Sequence, residues 1–279
     1  MRATLKRFWW VGVIILLLIG ALIITVSNSG SKKMDEGQNI GPADDKSKKA
    51  EERKTSWPSQ DAKYITAVPL DLTQIQSISK YRSCAGHDSS GYSFERLLET
   101  ERSMKHYIYP VSAFQGTLDK VKMFAPFDGT VSDVYLEADH IGEPGKRPKS
   151  GNGITLSTPI DPNVSFEFGH IYFVKDYKIG DEIKAGELVG YAALGEKGND
   201  FDVVLTGAKW AFENGTETMI LGSAFDHMTD SVIAEFATFG ITPENTKDSK
   251  EYRDANPCNY ASSTRSGGRT GQDWVQLSK

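Results

Sequence analysis

From Phe8 to Val26 the chain runs unbroken through apolar residues, with Thr25 the only polar member. At about 1.5 Å per residue a helix of that length spans about 29 Å, the thickness of a bilayer's hydrocarbon core. Arg2, Lys6 and Arg7 precede the run, and Trp9 and Trp10 stand where an interfacial aromatic belt forms. The positive-inside rule then places residues 1–7 in the cytoplasm and everything after Val26 outside. A cleaved signal peptide is the competing reading. Its apolar region is typically about 7–15 residues long and ends in small residues, whereas Ile24-Thr25-Val26-Ser27-Asn28 is a poor cleavage site. The pattern predicts an uncleaved, single-pass anchor over 8–26; under either reading the body of the protein is exported.

Residues 27–62 are polar and charge-mixed, without the apolar period of a core-facing helix, and are expected to be a flexible tether. Residues 63–110 form a mixed flank. Leu72, Ile75 and Ile78 suggest a short helix there, and Phe94 to Leu98 another short element or a loop. From Val121 the period becomes two. Val131, Val134 and Leu136 predict one strand, Ile154 and Leu156 a second, and Phe201, Val203 and Leu205 a third. Phe166, Phe168, Ile171 and Phe173 continue the pattern, but their spacing requires a bulge or bend near Gly169-His170. Ile183, Leu188 and Val189 bracket the Ala185-Gly186 turn. Short strands with glycine turns predict a mainly β, compact sandwich or barrel-like core over 111–206. In the flank at 207–256, Met228, Val232, Ile233 and Phe236 lie at helical spacing, and Gly240 is placed to end that helix. Residues 257–279 are expected to be a mobile tail, with Trp274 docking the end of the chain. The basic stretch from Glu143 to Gly151 is expected to be a solvated hairpin loop.

A net charge of −5 and the lack of a large basic block argue against nucleic acid as a partner. There is no G-x-S-x-G, no G-x-x-x-x-G-K-[ST] and no G-x-G-x-x-G in strand–helix context, which removes those nucleophile, phosphate and dinucleotide classes. Cys84 and Cys258 are the two cysteines, both on the exported side, where a disulfide is permitted. Two separate thiols are the alternative.

The stretch Ala125-Pro126-Phe127-Asp128-Gly129-Thr130-Val131, with Phe166-Glu167-Phe168-Gly169-His170-Ile171 and Ile179-Gly180-Asp181-Glu182-Ile183-Lys184-Ala185-Gly186, resembles the β-core of lysostaphin-type zinc endopeptidases. The resemblance covers about a quarter of the chain and implies a duplicated hybrid motif fold and a peptidoglycan-hydrolase ancestry. In that family zinc takes a His and an Asp from H-x-x-x-D and a second His from H-x-H, and further histidines assist catalysis. His170 matches the separate assisting histidine. Asp200 and Asp202 stand at the H-x-H positions, and one intervening residue puts them on the same face of a strand. His106 is the candidate first ligand, but Pro110 stands four residues later instead of Asp; His87-Asp88 is an alternative with the wrong spacing.

A carboxylate in place of a neutral imidazole changes both the Lewis acidity and the preference of a metal site. The leading expectation is therefore a non-catalytic member of the fold, without a cofactor. It would bind a cell-envelope polymer or protein through a groove lined by His170, Asp200 and Asp202. The runner-up is an active hydrolase that holds zinc or another divalent metal on His106, Asp200 and Asp202, with His170 in a catalytic role. A lipoyl-like adaptor subunit of a transport complex is the third reading. The turns suit it, although no heptad run or lipoyl-lysine hairpin accompanies them.

Overall fold

Phe166 and Phe168 alternate with polar positions along one strand, and Phe201, Val203 and Leu205 alternate along another. All five are buried. They form β8 (Ser165–Phe173) and β11 (Phe201–Thr206), which pair antiparallel with Val203 opposite Phe168 and Leu205 opposite Phe166. Cross-strand partners project to one face, so the five side chains make a continuous apolar surface. The Phe166 and Phe168 rings meet edge-on at 5.0 Å, and each buried ring contributes roughly 1.5–3 kcal/mol by leaving water.

The computed structural model describes residues 57–136, 151–194, 200–208, 210–211, 217–260 and 271–278. The expected anchor over 8–26, the tether before Trp57 and nearly all of the basic loop lie outside the described residues. On one side of β11, β4 (His106–Pro110) pairs with it, β1 (Ile75–Ser79) with β4, and β15 (Trp274–Gln276) with β1. On the far side of β8 come β7 (Asn152–Ser157), β6 (Gly129–Tyr135) and the short β9 (Glu182–Ile183). β10 (Leu188–Ala192) joins β8 to β5 (Lys122–Phe124). β14 (Ile220–Gly222) pairs with β11 and lies parallel to β2 (Gly91–Ser93), which pairs with β3 (Leu98–Glu99). Among the described residues, 13 strands share one mixed sheet, and β12 (Trp210–Ala211) pairs separately with β13 (Glu217–Thr218). The fold is mainly β, with 13 of its described strands in one mixed sheet.

The helix expected from Leu72, Ile75 and Ile78 is replaced by a single 3-10 turn, Leu72–Gln74, followed by β1. Register slips between Ile75 and Ser77, so Ile75 and Ile78 both reach the core despite an odd spacing. A bulge in a strand has imitated helical spacing. The later helix forms over Asp230–Ala237 and buries Val232 and Phe236, the latter 5.0 Å from the Phe225 ring. Met228 precedes the helix and bridges to Ile65.

The flank around residues 80–105 is built on a buried charge cluster. The Glu99 carboxylate lies between Arg82 Nη2 at 2.7 Å and Arg102 Nη1 at 2.9 Å. Tyr81, Met104, Val204 and Leu221 form a second apolar cluster. It covers the outer face of β11 at Val204, so that strand is buried on both faces for five of its six residues. A disulfide joins Cys84 to Cys258.

Candidate functional site

β8 changes partners half way along. Ser165–Phe168 pairs with β11, whereas Ile171–Phe173 pairs with β10. On β7, Asn152 lies opposite Ile171 and Ile154 opposite Phe168, so Gly169 and His170 together face the single residue Gly153. His170 absorbs this bulge with φ at 58°, the left-handed region, at a cost of about 1 kcal/mol or more for a residue with a Cβ. Its side chain is 45% exposed. Gly151 makes room for the backbone here: its own φ is +78°, and a Cβ there would lie 2.8 Å from the His170 carbonyl carbon.

Asp202 lies on the neighbouring strand, opposite Tyr107. Its carboxylate rests on the bare backbone of Gly169, where a Cβ would stand 3.1 Å from Oδ1. Only 5% of the Asp202 side chain is exposed, and Lys105 Nζ lies 3.2 Å from Oδ1. His170 Nε2 lies 3.6 Å from Oδ2. Tyr107 completes the cluster. Burial, followed by the Asp202 and then the Asp200 carboxylates, pushes its hydroxyl well above the ordinary tyrosine value, with a counteracting hydrogen bond from the His87 backbone N–H. One face therefore gathers His170, Asp202, Lys105, Tyr107 and the nearby Asp200.

His106 does not belong to that face. It lies opposite Val203, and Tyr107 lies opposite Asp202, so successive residues of each strand point His106 and Asp202 to opposite sides of the sheet. His106 is 1% exposed, packed 5.0 Å from the Phe225 ring and 6.3 Å from the Tyr81 ring. Its Nδ1 bonds the Ser79 carbonyl at 2.9 Å, and Nε2 has no hydrogen-bond partner among the described residues. Burial pushes the imidazole down to about 4, so it is neutral, with Nδ1–H donating. The expected metal set of His106, Asp200 and Asp202 is thus not assembled. Among the described residues no three His, Cys, Asp or Glu side chains gather to hold a metal. His87 reaches the face only through Tyr107, its ring edge-on to the Tyr107 ring at 6.1 Å, while its Nδ1 is turned to the Asp88 carbonyl at 2.9 Å. These donors do not fit zinc.

Lys105 and Tyr107 escaped the sequence reading. The available signal was the alternation of Lys105, His106 and Tyr107 along β4. It puts Lys105 and Tyr107 on the face opposite His106, but only once the register against β11 is known.

No protein-family model matches the chain, and no curated protein matches it. Among solved structures, a zinc-containing peptidase from Vibrio cholerae is similar at 12% identity over 61% of this chain and 41% of that one, with a TM-score of 0.34. The antimicrobial peptidase lysostaphin from Staphylococcus simulans is similar at 16% identity over 57% of this chain and 51% of that one, with a TM-score of 0.32. The SpoIIQ–SpoIIIAH pore forming complex is similar at 12% identity over 58% of this chain and 89% of that one, with a TM-score of 0.33. The matched stretch spans about half the length of the two peptidases.

Proposed function

We propose that this chain is a membrane-anchored, extracytoplasmic protein whose β domain has the lysostaphin-type fold without its metal chemistry. It binds a cell-envelope component, polymer or protein, across the face that carries His170, Asp200 and Asp202. The observation that carries this reading is Lys105. Its ammonium stands 3.2 Å from Asp202 Oδ1, so the chain itself supplies a positive charge beside the residue that stands where the resemblance puts a zinc-ligating histidine. His106, the first ligand of the hydrolase alternative, lies on the other side of the sheet. The half-exposed His170 in a left-handed conformation supports a binding role, because backbone strain persists where the surroundings hold a residue for use. The apolar run over 8–26 supports the anchor, and the Cys84–Cys258 disulfide suits an oxidising compartment.

The test uses the full-length protein in detergent, purified without chelator. Its metal content is measured, and its co-sedimentation with isolated envelope polymer is compared with that of His170→Ala. A metal-free wild type that sediments with the polymer, and a variant that does not, are the expected results. Stoichiometric zinc that is lost on Asp202→Asn would overturn the non-catalytic reading in favour of the hydrolase. If neither protein sediments, the partner is a protein, to be trapped by cross-linking from position 170.

A further inference from the structure

Arg253, in the helix Lys250–Ala255, is 1% exposed, and its guanidinium is turned onto the disulfide. Nη1 lies 2.6 Å from Cys84 Sγ and 3.4 Å from Cys258 Sγ, and donates to the Asn256 carbonyl at 3.1 Å. Nε donates to the Arg82 carbonyl at 2.6 Å, and Nη2 to Asp248 at 2.7 Å and Asp273 at 2.9 Å. A disulfide sulfur is neutral and a weak acceptor, so a buried guanidinium gains little from facing it. A thiolate in the same place would take a charge-assisted hydrogen bond.

Lys80 lies 3.2 Å from Asp248, so two cations, Arg253 and Lys80, balance the two carboxylates of Asp248 and Asp273 and the cluster is neutral with the disulfide in place. A thiolate on Cys84 would add one negative charge there, met by the Nη1 edge, which the carboxylates do not use and which the Asn256 carbonyl shares. The Arg82 guanidinium is engaged by Glu95 and Glu99, and the Tyr260 hydroxyl donates to the Ser83 carbonyl at 3.4 Å. Cys84 is half-buried, whereas Cys258 is 8% exposed, so an incoming thiol reaches Cys84 first.

We infer that Cys84–Cys258 is a thiol–disulfide exchange site for dithiols, whose reduced form keeps Cys84 as a thiolate on Arg253. A thiolate of the dithiol attacks Cys84 Sγ, and the electron pair of the broken S–S bond leaves on Cys258 Sγ, beside Nη1. The second thiolate of the dithiol then attacks its own sulfur bound to Cys84. This closes the dithiol's disulfide and releases Cys84 as a thiolate. The dithiol loses two electrons and two protons; Cys258 takes one proton and solvent the other. A low pKa at Cys84 speeds the second step, in which Cys84 is the leaving thiol. Cys84 N–H donates to Asp273 Oδ1 at 3.0 Å and Cys258 N–H to the Glu101 carbonyl at 3.3 Å, so each cysteine's backbone has an anchor that does not depend on the S–S bond.

Cys258→Ser in the full chain leaves Cys84 alone, and its rate of alkylation by iodoacetamide is followed against pH. The expected midpoint lies at least about one unit below the ordinary cysteine value of about 8.5, a tenfold gain in thiolate. Arg253→Gln in the same background returns it to the ordinary value. A midpoint at or above about 8.5 overturns the inference. Both substitutions touch a buried cluster, so the wild type supplies a second measure. It is equilibrated with reduced and oxidised dithiothreitol, without denaturant, while thiols are counted and near-UV dichroism is recorded. Reduction with the near-UV signal retained supports the exchange site; a disulfide that opens only when urea unfolds the chain overturns it.

Discussion

Asp202 is 3% exposed, and the Lys105 ammonium lies beside its carboxylate. A buried carboxylate without such a partner loses its solvation and gains nothing in return. Lys105→Met is therefore expected to cost about 3 kcal/mol in urea denaturation. Adding Asp202→Asn should restore most of that loss, which a double-mutant cycle reads directly; two losses that simply add would mean the pair is not coupled. His106 behaves in the opposite way, as a group that must stay neutral. Burial holds it at about 4 in the folded chain, against an ordinary value of about 6.5. The unfolded chain therefore takes up a proton that the folded chain refuses. The stabilisation is complete above about pH 6.5 and is lost as pH falls toward 4, by about 3 kcal/mol in all. Urea midpoints measured between pH 7 and pH 4 should show this slope, and His106→Phe should flatten it.

At the level of elements, the bulge in β8 divides one strand between two partners and aims His170 outward. His170→Gly removes the left-handed penalty and is expected to raise stability by about 1 kcal/mol while abolishing envelope binding. A thermal melt beside the co-sedimentation assay tests both halves, and a variant that binds normally would remove His170 from the site. This bulge was legible in the sequence, since Phe168 and Ile171 are both apolar and three apart within an otherwise alternating run. β1 was not legible, because its own bulge gave Ile75 and Ile78 a helical spacing. β2, β3 and β14, at two or three residues each, are too short to show a period at all. They exist because the main sheet offers an edge to pair with.

Across the whole molecule, the end of the chain completes the sheet. Trp274–Gln276 pairs with β1, Leu277 N–H donates to the Gln76 carbonyl and Ser278 N–H to the Phe239 carbonyl, both at 2.9 Å. Ending the chain after Gly271 would strip β1 of this partner and uncover an unpaired edge. A loss of roughly 3 kcal/mol and concentration-dependent association are expected from the bared backbone and the lost tryptophan burial, measurable by denaturation and light scattering. An unchanged midpoint would show that β15 adds nothing. Local sequence suffices for the features that depend on near neighbours: the apolar run over 8–26, the alternation of Phe201, Val203 and Leu205, the turns around Gly129 and Gly186, and the helix over Asp230–Ala237. Each follows from residues a few positions apart, through period or turn chemistry. The face that His106 takes, the ammonium that meets Asp202 and the guanidinium that meets the disulfide follow only from tertiary register. Lys105 and Asp202 stand 97 positions apart, and Arg253 and Cys84 stand 169 apart. A shift of one residue in the pairing of β4 with β11 would exchange the faces of His106 and Lys105, and no local pattern carries that choice.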